Sequence, residues 1–225
     1  MVDGFLERDA QLAQLNALAR RVARGGPGEV VLLRGEAGVG KTTLLARFAD
    51  QLNPRPRVLR GWCDPLAAPR PLGPLTDALA GLDAAAGAGL AAAVDSGDTA
   101  RIYRQLLAAL GDRDRWVWVI EDAHWADGAT LDLVRFLARR IATLRLLLVI
   151  SFRDDELAAS HPLAITLGDL ANYAAVSRIA LEALSLPAVS AKPQCSPSSS
   201  VNSIPDYGYY AAGATRWMRR VRWVR

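Results

Sequence analysis

Leu12, Leu15, Leu18, Ala19 and Val22 recur at helical spacing, and the spacing predicts an amphipathic helix over residues 7–24. Gly25-Gly26-Pro27-Gly28 stops it. The short apolar run Val30 to Leu33, bounded by glycine-rich sequence, reads as a buried strand. A helix follows through Leu44, Leu45, Phe48 and Leu52 and ends before Pro54. Arg57 to Cys63 reads as a second strand. A proline-rich loop (Pro65, Pro69, Pro71, Pro74) and two Ala/Leu-rich helical stretches, about 75–92 and 98–110, come next. Trp116 to Ile120 is a third strand. Leu131, Val134, Leu137, Ala138 and Ile141 form a helix stripe, and Leu146 to Ile150 is a fourth strand. A helix over 162–173 and a strand from Val176 to Leu181 close the pattern. Continuously apolar strands alternating with helices indicate an α/β domain in three layers, with a mainly parallel sheet covered on both faces.

The pattern changes after about Pro187. Prolines 187, 193, 197 and 205 mix with many serines, and no apolar period survives. Such a segment cannot bury enough surface to offset its ordering entropy, so residues 187–225 are expected to be disordered, and residues 1–186 to form the domain. Composition sharpens this division. The chain of 225 residues has a formal net charge of +4, yet residues 1–185 hold 21 basic and 22 acidic residues. The positive surplus lies in the tail, so no direct DNA binding is expected from residues 1–186. No run approaches a membrane span, and the start is too acidic for a signal peptide. Two cysteines far apart in sequence argue against a zinc site or a disulfide framework, and point to a reduced, cytoplasmic protein.

Candidate chemistry begins at Gly35-Glu36-Ala37-Gly38-Val39-Gly40-Lys41-Thr42, which matches the phosphate-loop pattern GxxxxGK[ST]. It follows a predicted strand and opens a predicted helix, as its mechanism requires. The glycines permit a tight loop whose backbone N–H groups point at phosphate oxygens, and the helix start adds its positive dipole end. Lys41 is expected to reach the β- and γ-phosphates, and the Thr42 hydroxyl to ligate Mg²⁺, with Thr43 beside it. Lysine is otherwise almost absent: the only other one is Lys192, against 25 arginines. A slim ammonium fits between phosphates where a planar guanidinium does not.

The other half of such a site is an acid at the end of a second apolar strand. Trp116 to Ile120 runs into Glu121 and Asp122. One of them is expected to hold Mg²⁺, and the other to polarise an attacking water. Arg153 follows the fourth strand and is a candidate γ-phosphate sensor if the strand order is 5-1-4-3-2, as is usual for such NTPases. A pairing of Arg153 with Asp154 or Asp155 is the alternative. His124 and Trp125 read as packing and turn residues, and Asp127 as the cap of the following helix.

Six blocks in this order carry a resemblance: Phe5 to Asp9, Gly35 to Thr43, Arg60 to Asp64, Pro69 to Leu75, Ile120 to Asp127 and Phe152 to Leu157. Together they resemble the ATP-binding domain of large LuxR-type bacterial transcriptional regulators, a branch of the STAND, AAA-like signalling ATPases. The resemblance implies an ATP/ADP-binding P-loop NTPase fold, Mg²⁺ as cofactor, and weak ATPase activity in the service of a regulatory switch. It implies that Phe5, Leu6 and Arg8 contact nucleotide, although Glu7 stands where the family motif has glycine. It maps the metal and catalytic acids onto Glu121 and Asp122, and the sensor arginine onto Arg153. Self-association of the domain is kept open.

The resemblance ends near Leu186, and the expectation is a truncated or frameshifted member whose tail is not ancestral. Other readings stand beside the switch: a stand-alone P-loop ATPase or kinase, or a non-functional gene fragment. The end of the tail, Arg216 to Arg225, interleaves Arg and Trp, as a nucleic-acid or membrane-surface binder would, or an out-of-frame peptide.

Overall fold

The computed structural model describes residues 7–52, 56–68, 70–111 and 114–184. The chain divides into a unit Met1–Ser190 and a second, Ala191–Arg225. The second unit lies outside the described residues, as do Phe5, Leu6 and the whole of 187–225 expected to be disordered. Helix α1 (Asp9–Ala23) leads into β1 (Glu29–Arg34), α2 (Lys41–Gln51), β2 (Arg57–Trp62), α3 (Gly73–Ala78), α4 (Ala84–Ser96) and α5 (Thr99–Leu110). Then follow β3 (Trp116–Glu121), α6 (Gly128–Ala138), β4 (Leu146–Phe152), α7 (Pro162–Leu170) and β5 (Val176–Ala180).

The five strands form one sheet in the order β2-β3-β4-β1-β5, the expected order read from the other edge. Each neighbouring pair is parallel, with β1 in register against β4 from Glu29↔Leu147 to Arg34↔Phe152. Alternation along each strand decides which layer a side chain joins. Val31, Leu33, Val117, Val119, Leu147 and Val149 pack with Leu12, Leu15, Leu44, Leu45 and Phe48 of α1 and α2. Their strand neighbours Val30, Leu32, Trp118, Ile120, Leu148 and Ile150 pack on the opposite face, against side chains of α3 through α7. β3 and β4 are buried along their whole length, which is why both faces of these strands are apolar.

Two helical expectations are corrected. The stretch 75–92 is not one helix: α3 ends at Ala78, a 3₁₀ turn follows, and Leu82 is extended before α4. The chain turns where Gly81 rests on β2, since a Cβ there would meet the Leu59 side chain at 2.7 Å. Asp83 is then held by the Arg57 guanidinium, at 2.9 Å from its Nη1. Ile141, placed on the helix stripe with Leu137, belongs instead to a 3₁₀ turn Ile141–Thr143 beyond the end of α6. It is buried all the same. Among the described residues no helix is long and apolar enough to cross a membrane.

Candidate functional site

The turn from β1 into α2 sets the first wall of the site. Gly40 precedes α2 with φ 100° and Gly38 has φ 71°, backbone conformations that cost a side-chain-bearing residue about 1–2 kcal/mol. Gly35 is needed for a different reason: a Cβ on it would stand 2.6 Å from the Leu181 carbonyl oxygen, just beyond β5. Leu44 N–H closes the first turn of α2 on Gly40 O at 2.9 Å, which leaves the N–H groups of the loop's end unclaimed by the helix. Lys41 is buried, and its ammonium donates to the carbonyls of Gly35 at 2.5 Å and Glu36 at 2.8 Å. Burial pulls its pKa below the ordinary lysine value, with the Asp122 carboxylate opposing and Arg153 adding to the fall.

The end of β3 forms the second wall. Glu121 lies on the face that α2 covers, and its Oε2 accepts the Thr42 hydroxyl at 2.7 Å. Its Oε1 accepts from Arg60 of β2, through Nε at 2.8 Å and through Nη2. Asp122 leaves the strand at φ 55°, a left-handed backbone that turns its side chain away from that of Glu121. Its N–H donates to the Ser151 hydroxyl of β4 at 3.3 Å. Burial, reinforced by the Glu121 charge, raises the Asp122 carboxyl above its ordinary value, while Arg153 and Lys41 pull it back. Two adjacent acids thus have different surroundings: one held between donors, the other turned toward Lys41 and Arg153.

β4 lies beside β1 and delivers Arg153 to the same edge. The guanidinium pairs with Glu156 Oε1 at 2.6 Å, a partner not weighed from sequence, where Asp154 and Asp155 were. Asp154 is taken by Arg34 at 3.2 Å. His124 is buried with no hydrogen bond to either ring nitrogen among the described residues, and its Nε2 is 3.5 Å from Glu156 Oε2. Burial pushes its pKa down to about 4, so it is neutral at physiological pH and the contact is not an ion pair. Trp125 ends the 3₁₀ turn Ala123–Trp125, 40% exposed, with its ring 5.3 Å from that of His124. Asp127 caps α6 as expected, accepting from Ala129 N–H at 2.9 Å and Thr130 N–H at 3.3 Å.

Arg8 joins the site from the N-terminal side. Its guanidinium is buried and donates to Val39 O of the loop at 3.1 Å and to Glu182 O at 2.7 Å. Glu7, which stands in the glycine position of the motif resembled, has φ 57°. The backbone therefore keeps the conformation a glycine adopts freely. Arg60 and Ser151 went unremarked as site residues in the sequence. A signal for Arg60 existed: it is a charge in the middle of a strand, with the same parity as Trp62, the residue in register with Glu121.

The donor set fits Mg²⁺, a hard cation that takes oxygen ligands: the Thr42 hydroxyl and the two carboxylates are oxygen donors within one corner. Among the described residues no three His, Cys, Asp or Glu side chains come together as a metal-holding group. Phosphate oxygens and water would have to complete the shell.

Residues 4–150 match the AAA ATPase domain family. The chain belongs to that family. Two solved structures share the fold of this AAA domain: Cdc6p from Pyrobaculum aerophilum and the Aeropyrum pernix Orc1 protein, the latter in complex with DNA. The first is 19% identical over 77% of this chain, with a TM-score of 0.51. The second is 17% identical over 82%, with a TM-score of 0.57. The AAA domain spans less than half of either relative, 45% and 47% of their lengths. No curated protein matches the chain.

Proposed function

We propose that this AAA domain binds ATP and ADP with Mg²⁺ at the loop Gly35–Thr42, and serves as a regulatory switch with weak ATPase activity in the manner of LuxR-type regulators. The observation that carries the reading is the convergence at one sheet edge of Lys41, Thr42, Glu121, Asp122 and Arg153, contributed by α2, β3 and β4. In this reading the backbone N–H groups of Ala37 to Thr42 and the Lys41 ammonium hold the phosphates. Thr42 and the acids Glu121 and Asp122 would hold Mg²⁺, which supplies charge neutralisation along the phosphates. Asp122, held above its ordinary pKa by burial, is the group that orients and deprotonates a water, and Arg153 faces the terminal phosphate. DNA contact is left to other parts of a regulator, consistent with the near-neutral charge of residues 1–185.

The switch character is supported by Arg8. One guanidinium holds both the loop carbonyl of Val39 and the carbonyl of Glu182, where the chain leaves β5. A loop that tightens around phosphate therefore pulls on the start of whatever follows the sheet. The discriminating experiment is a comparison of single-turnover hydrolysis with the rate of ADP release. Slow hydrolysis with slower ADP release supports a switch. Rapid multiple turnover with free ADP exchange refutes it and returns the chain to the stand-alone ATPase reading.

A further inference from the structure

Arg60 is the least expected member of the cluster. It projects from the middle of β2, whose one other charge is Arg57 at its start, on the side that α2 covers, and its side chain is 13% exposed against 1% for Glu121. Its guanidinium carbon sits 5.3 Å from the centroid of the Trp62 ring, which braces it from the same strand. Two of its nitrogens converge on Glu121 Oε1, while Thr42 Oγ1 donates to Oε2. Both carboxylate oxygens are thus engaged by the protein.

The consequence lies in the hydroxyl. Thr42 has one proton, and donating it to Glu121 leaves both lone pairs of Oγ1 available to a cation. Without a fixed carboxylate the hydroxyl would rotate, and its proton would point toward the metal position for part of the time. Glu121, in turn, is fixed only as well as its Oε1 is held. A buried carboxylate with one oxygen unclaimed has several rotamers and a desolvation cost that favours reaching for solvent.

We infer that Arg60 is a positioning residue for magnesium-dependent nucleotide binding, acting through Glu121 to orient the Thr42 hydroxyl. The inference rests on the phosphate-loop reading of Gly35–Thr42 and adds to it a residue on a strand that carries none of the loop or acid motifs. Arg60 touches neither phosphate nor metal in this account. Its removal weakens the contribution of Mg²⁺ to affinity and leaves metal-free nucleotide affinity alone.

The experiment measures the dissociation constant of a fluorescent ADP analogue with excess Mg²⁺ and with EDTA, the ratio of the two being the magnesium coupling. Arg60→Gln is expected to reduce that coupling about 10-fold, the usual scale for removing an outer partner of a metal ligand, with the EDTA constant unchanged. Arg60→Lys, which keeps the charge, recovers part of the loss. In a Glu121→Gln background Arg60→Gln has no further effect, because the intermediary is already gone. If Arg60→Gln does not fold, the double variant, which buries no unpaired charge, is compared with Glu121→Gln alone for the same result. Four results overturn the inference: an unchanged coupling, an increased one, an equal loss in EDTA, or the same loss with and without the Glu121 carboxylate. A folded wild-type chain that binds no nucleotide in either buffer would instead overturn the site reading itself, so the two failures are distinguishable.

Discussion

Replacing Lys41 by Met keeps most of the aliphatic stem and deletes the ammonium, and the structure predicts a large loss of ligand binding with little change in folding stability. A phosphate-bound ammonium makes two charge-assisted hydrogen bonds, and their loss costs about 2–4 kcal/mol, or roughly 30- to 1,000-fold in affinity. The nucleotide-free fold loses bonds to Gly35 O and Glu36 O, but it is also relieved of a buried charge. Burial lowers the pKa of Lys41, so the fold itself disfavours the charged form. Bond loss and desolvation relief oppose one another, and the net change is expected within about 1 kcal/mol, or roughly 2–4 °C in Tm at this size. The assay is thermal unfolding with and without Mg-ADP. At about 100 times Kd the ligand stabilises wild type by roughly 2.7 kcal/mol, and at the same concentration it stabilises Lys41→Met by about 0.9 kcal/mol or less. A variant whose unliganded Tm is unchanged and whose ADP-induced shift equals that of wild type would refute the assignment of Lys41 to phosphate.

Other consequences follow from the same geometry. Asp122→Asn is expected to slow hydrolysis by about 10²-fold or more while nucleotide still binds, read by single-turnover kinetics. Its effect on stability has a definite sign. The Asp122 carboxyl is raised above 3.8, so the folded state holds this proton more tightly than the unfolded chain. The favourable contribution is complete below that pH and is lost as pH rises through the folded value. Asn cannot ionise, so the variant unfolds at a higher temperature than wild type at pH 7, and pH-dependent melting curves check it. Gly35→Ala sets a Cβ against the Leu181 carbonyl and is expected to lower stability by about 1–3 kcal/mol and to weaken ADP binding, measured by denaturant unfolding and titration. Asp127→Ala removes a cap that serves two N–H groups of α6 and costs about 1–2 kcal/mol, with ADP affinity unchanged.

The sheet was legible because β3 and β4 are buried on both faces and so read as unbroken apolar runs, Trp116 to Ile120 and Leu146 to Ile150. The phosphate loop was legible because its chemistry is local: eight consecutive residues hold the glycines, the lysine and the hydroxyl. Contacts that depend on register were not. Arg60 meets Glu121 only because β2 and β3 pair from Arg57↔Trp116 to Trp62↔Glu121, an alignment no single segment encodes. Ser151 meets Asp122 because β4 pairs with β3 in a register that sets Ile150 against Ile120. The break before α4 was hidden for another reason. An Ala/Leu-rich stretch has good helix propensity throughout, and the turn at Leu82 is decided by Gly81 resting on β2 and by the Arg57–Asp83 pair. Ile141 shows that a burial period can outlast the helix that began it.

The central claim is that Gly35–Thr42, Glu121 and Asp122 make one magnesium-dependent nucleotide site. Isothermal titration of ADP into the purified chain, with Mg²⁺ and again with EDTA, tests it most directly. The expected result is one site per chain, tightened by Mg²⁺ and weakened roughly 30- to 1,000-fold by Lys41→Met. A folded chain that takes up no ADP, or that binds it equally well without Mg²⁺ and without the Lys41 ammonium, would contradict it.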